Sequence, residues 1–526
     1  MTALTVAAVD LGAESGRVAA ARFDGTRLHV DVHHRFVNRA ITTDGWLRWQ
    51  TDALWAEISS GLTSLARRTP IASVGVDTWG IDYGYYDEAD ALLEQPTAYR
   101  DSHRVDVFER TVREQGAGRL YDATGIQLME INSLFGMLAD ARLRPDVLAR
   151  ARHIRLMPDV FHHRLSGSTA TEFTAASTTG MLDMATGTWA MGLLDALGLP
   201  TSILPEVAPA GTDVGGVIGE LASAGLRGTR VILPPAHDTA SAVLAIPNAG
   251  SDTLFISSGT WSLVGVVLDN PIITPASRRA NLTNEGGYGG TVRFLRNVTG
   301  LWVLQECRAQ WLREGTEVGY ARLVELAGEA TPVASVLNLN ETVFLAPGDM
   351  PARVRASCVA NGMPVPDTMG EVARLVIDSL ALSYRLAADD IEAVTGVPIR
   401  SIAVVGGGGE NALLQQATAP ATGLPVVCWA REATSLGNAA AQLRTLGELD
   451  SIHQIWEVVA ASTQTRRFLP QPSGRWHDAA ITLRALERAE SRRRGLEDLP
   501  TSLPAGGPGI DAGATLETGR THSEHR

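Results

Sequence analysis

The chain contains no lysine: all 45 basic residues among its 526 are arginine. Walker-type P-loop enzymes and protein kinases set a lysine on the phosphates, and pyridoxal or Schiff-base enzymes need one as a covalent handle, so these mechanisms are excluded. The exclusion holds whatever the cause of the absence. Cysteine is scarce as well. Cys307, Cys358 and Cys428 are odd in number and widely spaced, which fits neither a disulfide framework nor a zinc knuckle, and they read as reduced and mostly buried. No apolar run reaches the roughly 18 residues that span a bilayer. The opening MTALTVAAVDLG lacks a basic segment ahead of its apolar run, so neither signal nor transit peptide is expected and a cytoplasmic location is. Positive charge is in deficit. A formal net charge of −13 opposes nucleic-acid and membrane partners and leaves small molecules as the expected ones.

What the chain does have is a glycine-rich turn at the end of three apolar runs: VAAVDLGAESGR from Val6, LFISSGTWS from Leu254 and IAVVGGGGEN from Ile402. Glycine lets backbone N–H groups approach phosphate oxygens, because no Cβ intervenes and positive φ is allowed. Asp10, just ahead of Gly12, places a carboxylate where it could hold a hydrated Mg²⁺. Together the three turns predict one nucleotide site. Without lysine, its phosphates fall to backbone N–H groups, hydroxyls, Mg²⁺ and arginine.

At this length at least two domains are expected, and 45% apolar with 20% charged residues fits a globular enzyme. Thr5 to Asp10, Arg17 to Phe23 and Arg27 to Phe36 read as an antiparallel meander. A helix follows with Asp52 as its cap, then a buried strand from Ala72 to Asp77. From Asp252 the strand, glycine turn, strand pattern recurs, which reads as an internal duplication. Asp367 to Thr395 carries a long helical period, and the segment Leu295 to Arg308 reads as a helix with Asn297 in its N-terminal region. The predicted fold is α/β: two similar halves with mixed sheets around a cleft, residues 1–246 and 247–485. Residues 486–526, rich in Gly, Pro, Ser and Thr, read as a disordered tail, although the stretch from Arg484 could continue a helix.

Two segments carry candidate chemistry. Pro234 to Ala242, PPAHDTASA, sets Asp238 within a small, apolar run, where it could serve as general base toward a hydroxyl attacking a γ-phosphoryl group. His237 and Asp238 could equally cap a helix starting at Thr239. The turn bearing Asp77, Thr78, Trp79, Gly80 and Asp82 pairs polar groups with an aromatic, which suits a sugar or a plain core. His33, His34, His162 and His163 read as surface or structural residues.

In their order along the chain, VDLGAESGR, DTWG, AHDTASA, SSGTWS, TNEGG, LRNVTGLW, VVGGGGEN and TSLGNAAAQ resemble motifs of the rhamnulokinase branch of the FGGY carbohydrate kinases. The resemblance spans about Val6 to Gln442. It implies two actin/hexokinase-like (ribonuclease H-like) domains and MgATP-dependent phosphorylation of L-rhamnulose at its 1-hydroxyl. Asp238 matches the family's base. Gly80, His237, Asp238, Thr239 and Asn297 match sugar positions, while Ala13, Glu14, Ser15, Gly16, Arg17, Thr260, Gln305 and Gly408 match ATP positions. Asp10 matches the Mg²⁺ position. Glu14 departs from a serine common in the family, and a carboxylate beside phosphates is electrostatically unhelpful unless it turns away or faces Mg²⁺. A monomer or homodimer is expected. Two other readings stay open: a kinase for L-fuculose, a xylulose or a polyol, and a non-catalytic ATP-binding regulator, which would need a lost base or a broken turn.

Overall fold

The computed structural model describes residues 4–471 and 474–496. The opening meander folds as predicted. Leu4–Leu11 pairs antiparallel with Ser15–Phe23, which pairs with Leu28–Val37, and Leu4–Leu11 pairs in parallel with Ser73–Thr78 on its other side. Adding Arg230–Ile232 and Asp213–Gly216 completes a six-stranded mixed sheet. The helix Thr51–Ala66 returns the chain between the parallel strands and buries Leu54, Ile58, Leu62 and Leu65 with Val9, Val74 and Val76. Each such side chain contributes about 2 kcal/mol of transfer free energy. Gln50, not Asp52, occupies the cap position of this helix. The Thr51 N–H and hydroxyl donate to Gln95 Oε1, which leaves Asp52 in the first turn beside Arg164.

The same topology recurs in the second half. Thr253–Ser258, Trp261–Leu268 and Val292–Thr299 form the meander, and Ser401–Val405 and Val426–Cys428 extend it in parallel, with Arg466–Phe468 antiparallel at that edge. An added strand, Thr283–Gly286, pairs with Val292–Thr299. The 27-residue helix Met369–Thr395 buries Val372, Leu375, Val376, Leu380 and Leu386 against this sheet. A capping box between Thr368 and Glu371 starts it and Gly396, at φ 69°, ends it.

Two predictions about elements fail. The segment Leu295 to Arg308 is not one helix: Asn297 lies in the strand Val292–Thr299, opposite Leu263, and the helix begins at Trp302. Gly300 allows the change of direction, since a Cβ there would sit 2.6 Å from Ser262 Oγ. The expected tail is ordered at its start, because the helix Arg475–Arg493 runs past Ala485 with Trp476 and Leu483 in the core of the second half. Residues 497–526 of that tail lie outside the described residues.

A helix pair ties the halves together. Asp238–Leu244 crosses Ala433–Thr445 at Gly437, where a Cβ would stand 1.8 Å from Ser241 O. From the alanine-rich helix, Gln442 donates to Ala7 O and accepts from Ser73 Oγ, so the second half is bonded into the first sheet. No helix among the described residues is long and apolar enough to cross a membrane, and the three cysteines are free and buried.

Candidate active site

The three glycine turns meet in one cleft of about 960 Å³ between the halves. The first turn closes through Gly12 N–H to Ser15 O, and Asn38 clamps it by donating to Gly12 O. The second closes through Gly259 N–H to Trp261 O. The third packs directly on the second: Cβ atoms at Gly406 (φ 85°) and Gly408 would stand 2.8 Å from Ser258 O and 2.0 Å from Ser258 Oγ. Gly406 needs its positive φ and meets the Ser258 backbone, while at Gly408 the Ser258 side chain, with Cβ at 2.7 Å, leaves no room for a methyl. Gln305, on the helix Trp302–Arg313, donates to Thr260 Oγ1 (3.4 Å) and reaches Glu14 Oε2 (3.5 Å), linking the second turn to the first.

Strand register assembles the acids. Asp10 stands opposite Arg17 on one neighbouring strand and opposite Asp77 on the other. Asp10 and Asp77 are 3% and 0% exposed. Burial raises both carboxyls, Asp77 well above its ordinary value, and the Asp10 charge adds to the rise at Asp77. Arg17 opposes that at Asp10, 3.5 Å away, and extends to Glu432 of the second half at 2.8 Å. Asn438 donates to Asp77 Oδ2 at 2.5 Å. Asp10 Oδ2 and Asp77 Oδ1 are buried without a hydrogen-bond partner.

Asp238 begins its helix, and the segment before it is pinned from two sides. Ala236 N–H donates to Glu172 Oε2, His237 N–H donates to Thr174 Oγ1, and Thr78 N–H donates to Ala236 O. Neither His237 nor Asp238 acts as a side-chain cap; Asp238 Oδ1 accepts instead from the Thr239 N–H (2.5 Å) and hydroxyl (3.2 Å). Burial, then the Asp10 charge, pushes the Asp238 carboxyl up to about 7. A carboxylate with that value takes a proton readily near neutral pH.

The wall beside Gly80 is set by buried contacts. A Cβ on Gly80 would stand 2.7 Å from Thr178 Oγ1. Ile81 is left-handed (φ 68°), a strained state for a β-branched residue, and is held by its N–H to Thr178 Oγ1 and by Ser133 Oγ donating to its carbonyl. Asp82 lies outside the cleft and fixes this wall from behind, accepting from Trp49, Trp79, Tyr99 N–H and Arg104. Asn297 enters from the second half, donating to Gln127 Oε1 and Glu285 Oε1.

Thus Asp10, Ala13, Glu14, Ser15, Arg17, Gly80, His237, Asp238, Thr239, Thr260, Asn297, Gln305 and Gly408 all line one cleft. Gly16 does not; it is packed beneath Phe36, 2.3 Å from a would-be Cβ. Residue reading did not assign Glu285, Asn132, Thr178, Tyr99, Trp261 and Asn411, which share the cleft, or Arg100, whose guanidinium stacks 3.9 Å from the Trp302 ring centroid across the halves. A carboxylate and an arginine inside two adjacent strand patterns, Glu285 and Arg293, were the readable signal. Two of the histidines expected to be surface or structural residues make such contacts: buried His162 accepts from Val76 N–H and His34 pairs with Glu57.

Comparison with known proteins agrees with this geometry. Models of the N-terminal and C-terminal domains of the FGGY family of carbohydrate kinases match residues 5–245 and 254–446. A rhamnulokinase of Bacteroides thetaiotaomicron is 37% identical, covering 90% of this chain and 97% of its own, and one of Pectobacterium carotovorum is 35% identical, covering 95% and 99%. The fold is that of a gluconate kinase from Lactobacillus acidophilus, at TM-score 0.74 and 17% identity over 94% of this chain and 98% of that one. With both family domains matched over most of its length, each contributing a glycine turn to a shared cleft that holds a poised carboxylate, the chain belongs to the FGGY family of carbohydrate kinases and is a sugar kinase.

Proposed function

We propose that this kinase transfers the γ-phosphoryl group of ATP to the 1-hydroxyl of L-rhamnulose, giving L-rhamnulose 1-phosphate and ADP, with residues 1–246 supplying the sugar side and 247–485 the nucleotide side. The observation that carries the chemistry is Asp238, a carboxyl near neutral pKa in the same cleft as all three glycine turns. Its Oδ1 is held by Thr239, while among the described residues Oδ2 accepts no hydrogen bond. The sugar oxygen bonds to the γ-phosphorus as the bond to the β-phosphate oxygen breaks, and its proton passes to Oδ2. The substrate rests on 35–37% identity to rhamnulokinases along nearly the whole chain.

Asp10, which lines the cleft, suits Mg²⁺, since it presents a buried oxygen without a hydrogen bond. Among the described residues no group of three or more His, Cys, Asp or Glu could hold a metal alone, as expected where the nucleotide's phosphates supply the remaining ligands. When bound, Mg²⁺ offsets phosphate charge during transfer. The turn residues Ala13, Ser15, Thr260 and Gly408 receive the phosphates, and closure of the halves excludes water as an acceptor.

A coupled assay of ADP release with MgATP tests this, comparing L-rhamnulose with L-fuculose, L-xylulose, D-xylulose and glycerol. A preference for L-rhamnulose of roughly tenfold or more, about 1.4 kcal/mol in transition-state binding, is expected. Turnover of another acceptor alone would overturn the substrate.

A further inference from the structure

Behind His237 lies a buried pair that the mechanism above does not use. Glu285 and Arg293 face each other on adjacent antiparallel strands, 4% and 1% exposed, and Arg293 is among the largest fully buried side chains. Arg293 Nη2 lies 3.2 Å from Glu285 Oε2 and 3.0 Å from His237 Nδ1, and Arg293 Nε donates to Gly286 O. His237 Nε2 faces Asp238 Oδ1 at 3.4 Å.

A guanidinium only donates. At 3.0 Å from Arg293, His237 Nδ1 must therefore carry the lone pair, and the ring proton must sit on Nε2. The competing arrangement, an imidazolium donating from Nδ1 to Glu285 Oε2 (3.5 Å) and from Nε2 to Asp238, would set two N–H groups against each other at the Arg293 contact. The charged groups facing the ring are Asp238, Glu285 and Arg293. Burial, then the Arg293 charge, also disfavours the imidazolium.

We propose that Arg293, braced by Glu285, is a positioning residue for phosphoryl transfer: it locks His237 as the Nε2–H tautomer. That N–H then faces Asp238 Oδ1 and leaves Oδ2 as the basic atom offered to the sugar hydroxyl. The proposal rests on Asp238 being the base, not on which sugar is phosphorylated.

The test is long-range ¹H–¹⁵N correlation on full-length protein labelled with ¹⁵N-histidine, with His237→Asn assigning the signal. The expected wild-type result is the Nε2–H tautomer, unchanged between about pH 6 and 8.5. A wild-type Nδ1–H tautomer, an imidazolium, or titration in that range overturns the proposal, and this reading needs neither sugar nor turnover. In Arg293→Met, tautomer mixing and a fall in kcat of roughly tenfold or more are expected, with KM for ATP unchanged and partial recovery in Arg293→Lys. A folded Arg293→Met with the wild-type tautomer and wild-type kcat also overturns it.

Discussion

The Arg17 guanidinium joins the two halves at the floor of the cleft: Nη1 lies 2.8 Å from Glu432 Oε2 in the second half and 3.5 Å from Asp10 Oδ2 on the adjacent strand. Arg35 reaches the other oxygen of Glu432 at 3.0 Å. Arg17 thus serves the carboxylates of the site as well as lining the cleft.

Removing that cation leaves Asp10, Asp77 and Glu432 facing one another. Arg17→Met is expected to lower unfolding free energy by about 2 kcal/mol, below the 3–5 of a fully buried pair because Arg17 and Glu432 keep some water contact and Arg35 still pairs with Glu432. Urea denaturation measures this. Mg²⁺ should raise the midpoint of the variant more than that of the wild type, since a divalent cation then supplies the missing charge.

Asp238→Asn should cost roughly 10²–10⁴ in kcat while sugar and nucleotide still bind. In the native enzyme, kcat/KM for the sugar should fall as pH drops below about 7, where the base becomes protonated. Stability runs the other way. The folded carboxyl titrates at about 7 against an ordinary 3.8, so the stability tied to the protonated form is complete below 3.8 and is lost as pH rises through 7. Asp238→Asn should therefore be more stable than wild type at pH 8, by about 1–2 kcal/mol, with the gap closing toward pH 4 in thermal melts.

Two glycines separate the substrates. A methyl at Gly408 meets Ser258 Oγ at 2.0 Å and Ser258 O at 3.0 Å, so Gly408→Ala must displace the second turn. It should raise KM for MgATP by about tenfold or more, roughly 1.4 kcal/mol, with little change for sugar. A methyl at Gly80 meets Thr178 at 2.7 Å, so Gly80→Ala should raise the sugar KM instead. Initial-rate kinetics with each substrate varied decide both.

Glu14 lines the cleft in the first turn, its carboxyl raised by desolvation and lowered by Arg100. Glu14→Ser removes a negative charge from the turn proposed to receive the phosphates. Affinity for MgATP is expected to rise about threefold, of order 0.6 kcal/mol, and the gain should shrink at high salt. Isothermal titration at two ionic strengths measures it.

The local physics of the chain determined a good deal. Alternation and short turns specified the first meander and the two opening strands of the second, the 3.6-residue period specified Met369–Thr395, and glycine after an apolar strand marked each of the three turns. Motif order singled out Asp238 and its neighbours, which the fold brings into the cleft. Other features depended on partners distant in sequence. Asn297 reads as a helix cap until Leu263 pairs with it, because β-register is set by another strand and not by local propensity. Gly16 belongs to a phosphate-loop motif, yet packing under Phe36 takes it out of the cleft. The contacts of Arg17 with Glu432, of Asn438 with Asp77, and of Arg293 with His237 join residues 415, 361 and 56 positions apart. Only tertiary structure decides which charges share a low-dielectric space, and that sharing sets which acid titrates near neutrality and which nitrogen of His237 carries its proton.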